Sequence, residues 1–378
     1  MALSPRFLLS GYYGFGNVGD EALLAIIVER LRARWPSCSI DVLSNDPAGT
    51  AGAYAVQATP RADLGRVRKA IARADVVLSG GGGLLQNVTS LRSLLYYAGI
   101  IRSAIRARKR TMVFAQSVGP LDFWGKAVVR QFCRGLDAAT VRDERSRAVL
   151  APLLSGTPVE RTADPVFLFE PGSTPLDLTA EGLGPGSDPL AVVSVRPWTG
   201  ADTTAAALAV AVDRLTEEHG LHVAFLPLGG APDAETSTAV IRKCRTSPVL
   251  LPHYSLPQAA QVIGRSRLVV GMRLHALIIA ARLGVPFSAL PYDPKVAALL
   301  DDLAYPLPPL FVPGDRVPPN AVIERRIDEA WARRDELAGA LRAAAPAIAQ
   351  LAQRNFDVLD ELVTKAATDD AGAGGGTR

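Results

Sequence analysis

Asp75-Val76-Val77-Leu78-Ser79-Gly80-Gly81-Gly82-Gly83 is a β-branched run that stops in four glycines. The run predicts a buried strand, and the glycines predict a turn out of it. From about Leu91 to Arg108 the apolar spacing becomes helical. The same strand–turn–helix unit recurs on both sides. Upstream, Phe7–Ser10 reads as a strand, Glu21–Arg34 as a helix and Ser39–Leu43 as a strand. Downstream, Thr111–Ala115 and Ala138–Arg142 read as strands, with helices over Lys126–Gly135 and Glu144–Leu150. Short strands alternating with helices of this length predict a parallel sheet with helices on both faces.

Residues 171–189 are rich in Pro and Gly, a linker composition. A second α/β series follows, with strands over Leu190–Val195, His222–Leu226, Leu268–Val270 and Phe287–Leu290. Its helices are Ala205–His219 and Leu274–Leu283, the latter capped by Gly284. Ala321–Thr364 reads as helical with an interruption at Pro346. The predicted architecture is α/β, two Rossmann-like domains facing a cleft, with a helical C-terminal segment. Its boundaries are 1–172 and 190–320 for the two domains, 173–189 for the linker, 321–366 for the helices and 367–378 for a disordered tail.

Composition narrows the class. The chain has 378 residues, 48% hydrophobic and 21% charged, which excludes wholesale disorder. Three scattered cysteines, Cys38, Cys133 and Cys244, form no disulfide framework and fit a reducing compartment. No apolar run reaches the roughly 18 residues of a membrane span, and Phe7–Gly11 is too short for a signal peptide. A cytoplasmic protein is expected. Six lysines leave 35 arginines among the 41 basic residues, at a net charge of +4. Either the base composition of a GC-rich genome or anion binding accounts for that excess. The densest basic cluster, Arg102–Arg110, reads as a solvated helix end rather than a nucleic-acid stripe.

In open parallel sheets ligands bind at the carboxyl ends of the strands, so residues just after each strand carry the chemistry. Gly14-Phe15-Gly16-Asn17-Val18-Gly19 matches the dinucleotide pattern GxGxxG. Asp20 and Glu21 at the helix start would repel a pyrophosphate there. The plain alternative is a tight turn; a third reading makes Asp20 or Glu21 a site carboxylate acting on a sugar hydroxyl. The glycines after Ser79, Gly81 and Gly82 among them, either free backbone N–H groups to line a substrate or anion site or form a flexible strand–helix turn. Arg142, at a strand end, is either an anion clamp or an internal ion pair with Asp143 or Asp164. Arg273 and His275, in Gly271-Met272-Arg273-Leu274-His275-Ala276, occupy a strand–helix turn. Lys295, in Tyr292-Asp293-Pro294-Lys295, begins a helix after another strand. No HExxH, HxH or clustered carboxylates suggest a metal.

Taken together, Ser10–Glu21, Leu78–Gln86, Ala115-Gln116-Ser117-Val118-Gly119-Pro120, Val141–Glu144, Ala163-Asp164-Pro165, Gly271–Ala276 and Tyr292–Lys295 resemble the polysaccharide pyruvyl transferase family, specifically its cell-wall, S-layer-anchoring type. The motifs stand in family order across residues 6 to about 300. Ser117 departs from the family's more usual glycine, and the C-terminal tail carries no motif. The resemblance implies a fold similar to GT-B glycosyltransferases. It implies transfer of pyruvate from phosphoenolpyruvate, with no further cofactor, onto two hydroxyls of one sugar, forming a cyclic ketal and releasing phosphate. The implied acceptor is a β-linked N-acetylmannosamine on a lipid-linked glycan, met with at most peripheral membrane contact at the inner face. Nucleic acid is not an expected partner. Under that reading Arg142, Arg273 and Lys295 bind the donor's anionic groups, and His275 is the acid. Asp20 or Glu21 assists the attacking hydroxyl. Gly14, Gly16, Asn17, Gly81, Gly82, Gln116 and Ser117 line the substrates. The competing readings are a nucleotide-sugar glycosyltransferase of the same fold, a dinucleotide oxidoreductase and a non-catalytic glycan-binding protein.

Overall fold

The computed structural model describes residues 4–88, 90–171, 176–184, 189–197, 201–290, 294–309 and 320–373. By its contacts the chain divides into two compact units. The first comprises Met1–Gly16, Asp20–Leu168 and Ala349–Arg378; the second comprises Asn17–Gly19 and Phe169–Ile348.

The first sheet is built from β1 (Arg6–Tyr13), β2 (Ser39–Ser44), β3 (Gln57–Pro60), β4 (Val76–Gly80), β5 (Arg110–Gln116), β6 (Ala138–Val141) and β7 (Val159–Arg161). All pairs are parallel, in the order β3-β2-β1-β4-β5-β6-β7. The intervening helices are α1 (Val18–Arg34), α2 (Pro47–Tyr54), α3 (Leu64–Arg73), α4 (Leu91–Arg106), α5 (Phe123–Phe132) and α6 (Glu144–Leu150). Alternation along β1 sends side chains to both faces. Phe7 packs against Trp35 with ring centroids 5.3 Å apart. Leu8, one residue on, joins Val67 and Ile71 of α3. A fully buried leucine of this kind contributes about 2 kcal/mol.

The second sheet contains β8 (Leu190–Ser194), β9 (His222–Phe225), β10 (Val249–Leu250), β11 (Ser266–Gly271) and β12 (Phe287–Ala289), parallel in the order β10-β9-β8-β11-β12. Its helices are α7 (Ala201–Glu217), α8 (Ala231–Ile241), α9 (Leu256–Arg265), α10 (Leu274–Leu283), α11 (Pro294–Asp302) and α12 (Asn320–Ala332). As expected, Gly284 ends α10 in the left-handed conformation, φ 69°. Each sheet reverses its strand order beside its first strand. The ligand-binding crevices of such sheets therefore fall after β1 and β4 in one unit and after β8 and β11 in the other.

The last helix, α13 (Arg334–Ala373), corrects two expectations. It runs through Pro346 without a break, and the segment from residue 367, expected to be disordered, is helical as far as Ala373. Residues 374–378, like 172–175 and 185–188 of the expected linker, lie outside the described residues. The portion of α13 after Ile348 belongs to the first unit. Asn355, fully buried, accepts from the Thr162 hydroxyl at 2.8 Å and donates to the Ala163 carbonyl at 2.9 Å. Arg354 forks onto Glu160 at 2.8 and 2.9 Å, and Phe356 meets Phe114 edge-on.

Candidate functional site

In the first unit, the loops after β1 and β4 interlock through glycines. Gly14 has φ +75°, and a Cβ there would stand 2.2 Å from Ser44 Oγ and 2.5 Å from the Asp46 backbone nitrogen, so no other residue fits. Its N–H donates to Glu21 Oε1 at 2.8 Å, while Tyr54 donates to Glu21 Oε2 at 2.9 Å. Glu21 thus ties the turn to its helix. Burial and the Glu21 charge push the Tyr54 phenol up, so it stays a donor. Gly16 also has positive φ; in the next three residues, which belong to the second unit, the Asn17 side chain accepts from the Gly19 N–H at 3.1 Å. After β4, Gly81 and Gly82 both take positive φ, and the Asp20 carboxylate lies 2.8 Å from where a Gly82 Cβ would be.

Gln116 and Ser117 lie beneath that turn. The Gln116 amide donates to the Ser79 carbonyl at 2.7 Å and hydroxyl at 2.9 Å, and Ser117 N–H donates to Gly82 O at 2.9 Å. Arg142 is 7% exposed; its Nε donates to Ser117 Oγ at 2.6 Å and its Nη1 pairs with Asp164, itself 4% exposed. Burial opposes the guanidinium charge, but Asp164, Asp143 and Asp20 hold its pKa above the ordinary value. Between the two readings of Arg142 left by the sequence, the observed geometry is the internal ion pair.

A further group was not singled out by sequence reasoning. Tyr12 and Phe15 stack with centroids 4.0 Å apart and 8° between planes. Arg61 lies over Phe15, Tyr96 and Tyr97 at 4.9, 4.5 and 5.4 Å. Tyr12 and Phe15 remain partly exposed, a flat apolar surface at the end of β1. Burial, against a lowering effect of Arg61, pushes the Tyr97 phenol up to about 12.

In the second unit, Arg273 occupies the N-cap of α10 directly after β11. Its guanidinium forks onto Asp233, Nε to Oδ2 at 2.8 Å and Nη2 to Oδ1 at 2.5 Å. Asp233 is fully buried and also accepts from the Gly229 N–H at 2.7 Å. A Cβ on Gly229 would fall 1.9 Å from Arg273 Nη2, so that glycine makes room for the fork. Asp233 was missed because it reads as an ordinary acid in the first turn of α8, 40 residues from Arg273. His275 is half-buried with its Nε2 inside, and its ring lies against Gly19, where a Cβ would be 1.9 Å from Nδ1. Val18 N–H donates to Leu228 O at 3.0 Å, fixing that stretch. Lys295 is half-buried at the start of α11, while Tyr292 and Asp293 of its motif lie outside the described residues. The other histidines are plainer: His219 packs on Trp331, and His253 Nδ1 lies 3.4 Å from Pro227 O.

Two parallel α/β units, each with polar turns at its strand-order reversal, give the chain a GT-B-like fold. Solved structures of that kind match nearly the whole chain. A putative UDP-N-acetylglucosamine 2-epimerase from Listeria monocytogenes aligns with 96% of this chain and 98% of its own, at 11% identity and TM-score 0.67. A glycosyltransferase from Rickettsia africae aligns over 95% and 99%, at 9% identity and TM-score 0.64. Anabaena HepE, solved with UDP and glucose, aligns over 97% and 100%, at 13% identity and TM-score 0.58. At these identities the likeness is one of fold. No curated protein sequence matches the chain. Residues 17–294 match the polysaccharide pyruvyl transferase family, and the chain belongs to it.

Proposed function

We propose that the protein transfers pyruvate from phosphoenolpyruvate onto two hydroxyls of one sugar of a cell-wall glycan. In the balanced reaction one acceptor hydroxyl adds to C2 of the enol while C3 gains a proton. The second hydroxyl then displaces phosphate from C2, and its proton leaves with the phosphate. The products are a ketal bearing a methyl and a carboxylate, and inorganic phosphate. The observation that carries this reading, beyond the family, is the Arg273–Asp233 fork beside His275 at the reversal point of the second sheet.

Arg273 is the anion ligand: Asp233 fixes the plane of its guanidinium, so little ordering remains to be done when phosphate or carboxylate arrives. Lys295 is the second cation. His275 delivers the proton to C3 or to the departing phosphate. Asp20 or Glu21 assists a hydroxyl; the two Glu21 oxygens accept from the Gly14 N–H and the Tyr54 hydroxyl, which fixes that carboxylate at the turn. Arg142, satisfied by Asp164 and Ser117, is a positioning residue that supports the Gly81–Gly82 turn through Ser117. The Tyr12–Phe15 pair offers a flat face for a pyranose ring.

The acceptor we assign is a β-N-acetylmannosamine of a lipid-linked precursor, pyruvylated on the cytoplasmic side as an S-layer anchor. Direct calorimetry with phosphoenolpyruvate tests the donor. Binding by the wild type that weakens at least tenfold in Arg273→Met supports it. Binding of UDP-glucose with none of phosphoenolpyruvate overturns it in favour of nucleotide-sugar transfer; UDP-glucose is the ligand with which the fold neighbour HepE was solved.

A further inference from the structure

Between Gln86 and Leu136 the sequence carries nine basic residues and a single acid, Asp122. The net charge of the whole chain is only +4, so this segment is far more basic than the remainder. It contains α4 and α5, which hold the two most exposed large aromatics in the described residues. Phe123 is 76% exposed and Trp124 67%, and they meet edge-on at 5.4 Å. Asn87 accepts from the Asp122 N–H at 3.2 Å, and a Gly125 Cβ would touch the Asn87 amide at 3.0 Å. These contacts fasten the loop before α4 to the start of α5. The loop carries Val88, 71% exposed, and the first turns of α4 carry exposed Leu91 and Leu95.

Two neighbouring aromatics left in water, with no internal packing role, cost the fold solvation without return. Their surroundings identify the chemistry that covers them. Arg92, Lys126 and Arg130 are exposed on the same two helices. Lys126 and Arg130 stand one turn apart on α5, on the stripe that begins with Phe123. Asp122 is committed to capping α5, its carboxylate accepting from the Gly125 N–H at 2.7 Å. Aromatic rings flanked by cations match the boundary of an anionic bilayer, where rings enter the headgroup layer and cations meet lipid phosphates.

We propose that the α4–α5 face of the first unit docks on an anionic phospholipid surface through Phe123 and Trp124, with Arg92, Lys126 and Arg130 as its electrostatic contacts. This stands independently of which group the protein transfers, and a lipid-borne acceptor would gain from it by confinement to the same surface.

The test is co-sedimentation of the full chain with phosphatidylcholine vesicles containing or lacking phosphatidylglycerol. Wild-type protein is expected to bind the anionic vesicles, more weakly as salt rises, and to bind the neutral ones poorly. Phe123→Ser/Trp124→Ser and Lys126→Gln/Arg130→Gln are each expected to lower binding at least tenfold. Because all four side chains are exposed, both variants should melt with the wild type and turn over a soluble acceptor equally. Absence of vesicle binding, or wild-type binding by both variants, overturns the proposal. A wild-type dimer dissolved by Phe123→Ser/Trp124→Ser, without vesicle binding, also overturns it and assigns the face to a second copy. Failure of phosphoenolpyruvate turnover would count against the transfer reaction and leave the vesicle result standing.

Discussion

Gly19→Ala places one methyl group against the residue to which the proposed proton transfer is assigned. The new Cβ would lie 1.9 Å from His275 Nδ1, 2.5 Å from Cγ and 2.6 Å from Cε1. Ordinary contact begins near 3.4 Å, so the ring must retreat by about 1.5 Å. A misplacement of about 1 Å in a reacting group costs on the order of a hundredfold in rate. Stability should change little. Gly19 is helical in α1, where Ala gains up to about 1 kcal/mol over Gly, and crowding of a half-buried ring costs about 1–3 kcal/mol. The net, about 1–2 kcal/mol at most, shifts the melting temperature by only a few degrees, on the order of 2–4 °C per kcal/mol. The assay is acceptor-dependent phosphate release, run beside a thermal melt. We expect kcat/KM to fall at least a hundredfold in a folded protein, and Gly19→Ala/His275→Ala to be no worse than His275→Ala alone. Wild-type activity in Gly19→Ala, or losses that multiply in the double variant, would refute the role of the His275 ring.

Three further outcomes follow from the same geometry. Asp233→Asn removes the charge opposite Arg273, which should destabilise the protein by about 2–3 kcal/mol in urea unfolding and raise the phosphoenolpyruvate KM; Asp233→Asn/Arg273→Met should recover most of the stability but no activity. Asp164→Ala removes the direct partner of the buried Arg142 charge and leaves it only the weaker pull of Asp143 and Asp20, an expected loss of about 3–5 kcal/mol that Asp164→Leu/Arg142→Met should largely reverse. In the second unit, burial raises the pKa of Asp213, but hydrogen bonds from Arg245 N–H and from Thr246 N–H and Oγ1 outweigh it and leave the carboxyl below its usual range. The stabilisation from a carboxyl with a depressed folded pKa is complete above the unfolded value, about 3.9, and disappears as pH falls through the folded one. Melting measured from pH 6 down to 2 should therefore be less pH-dependent in Asp213→Asn than in the wild type.

Much of this fold was legible because its long elements satisfy several rules at once. Helix α10 has an apolar face, a strand–turn entry and a glycine stop, and the expected Leu274–Leu283 matches the observed span. The short elements were illegible for a physical reason. Gln57-Ala58-Thr59-Pro60 has no β-branched run and is a strand only because β2 offers it an edge. Pro346 looks like a helix break because it lacks an N–H, yet α13 runs through it. The positions of Arg273, His275 and the glycines just after strands were readable; their roles rest on the proposed reaction. The Arg273–Asp233 fork was not, since nothing local couples residues 40 apart. Nor does the sequence say which carboxylate each arginine meets: Arg142 pairs with Asp164 and Arg273 with Asp233.

The most direct test of the central claim is incubation of purified protein with phosphoenolpyruvate, with and without an N-acetylmannosaminyl-β-N-acetylglucosamine diphosphate-lipid analogue. Phosphate release and the product NMR spectrum are read together. The account predicts release only when acceptor is present, with one new ketal methyl signal for each phosphate freed. Phosphoenolpyruvate that neither binds nor releases phosphate under these conditions would contradict it.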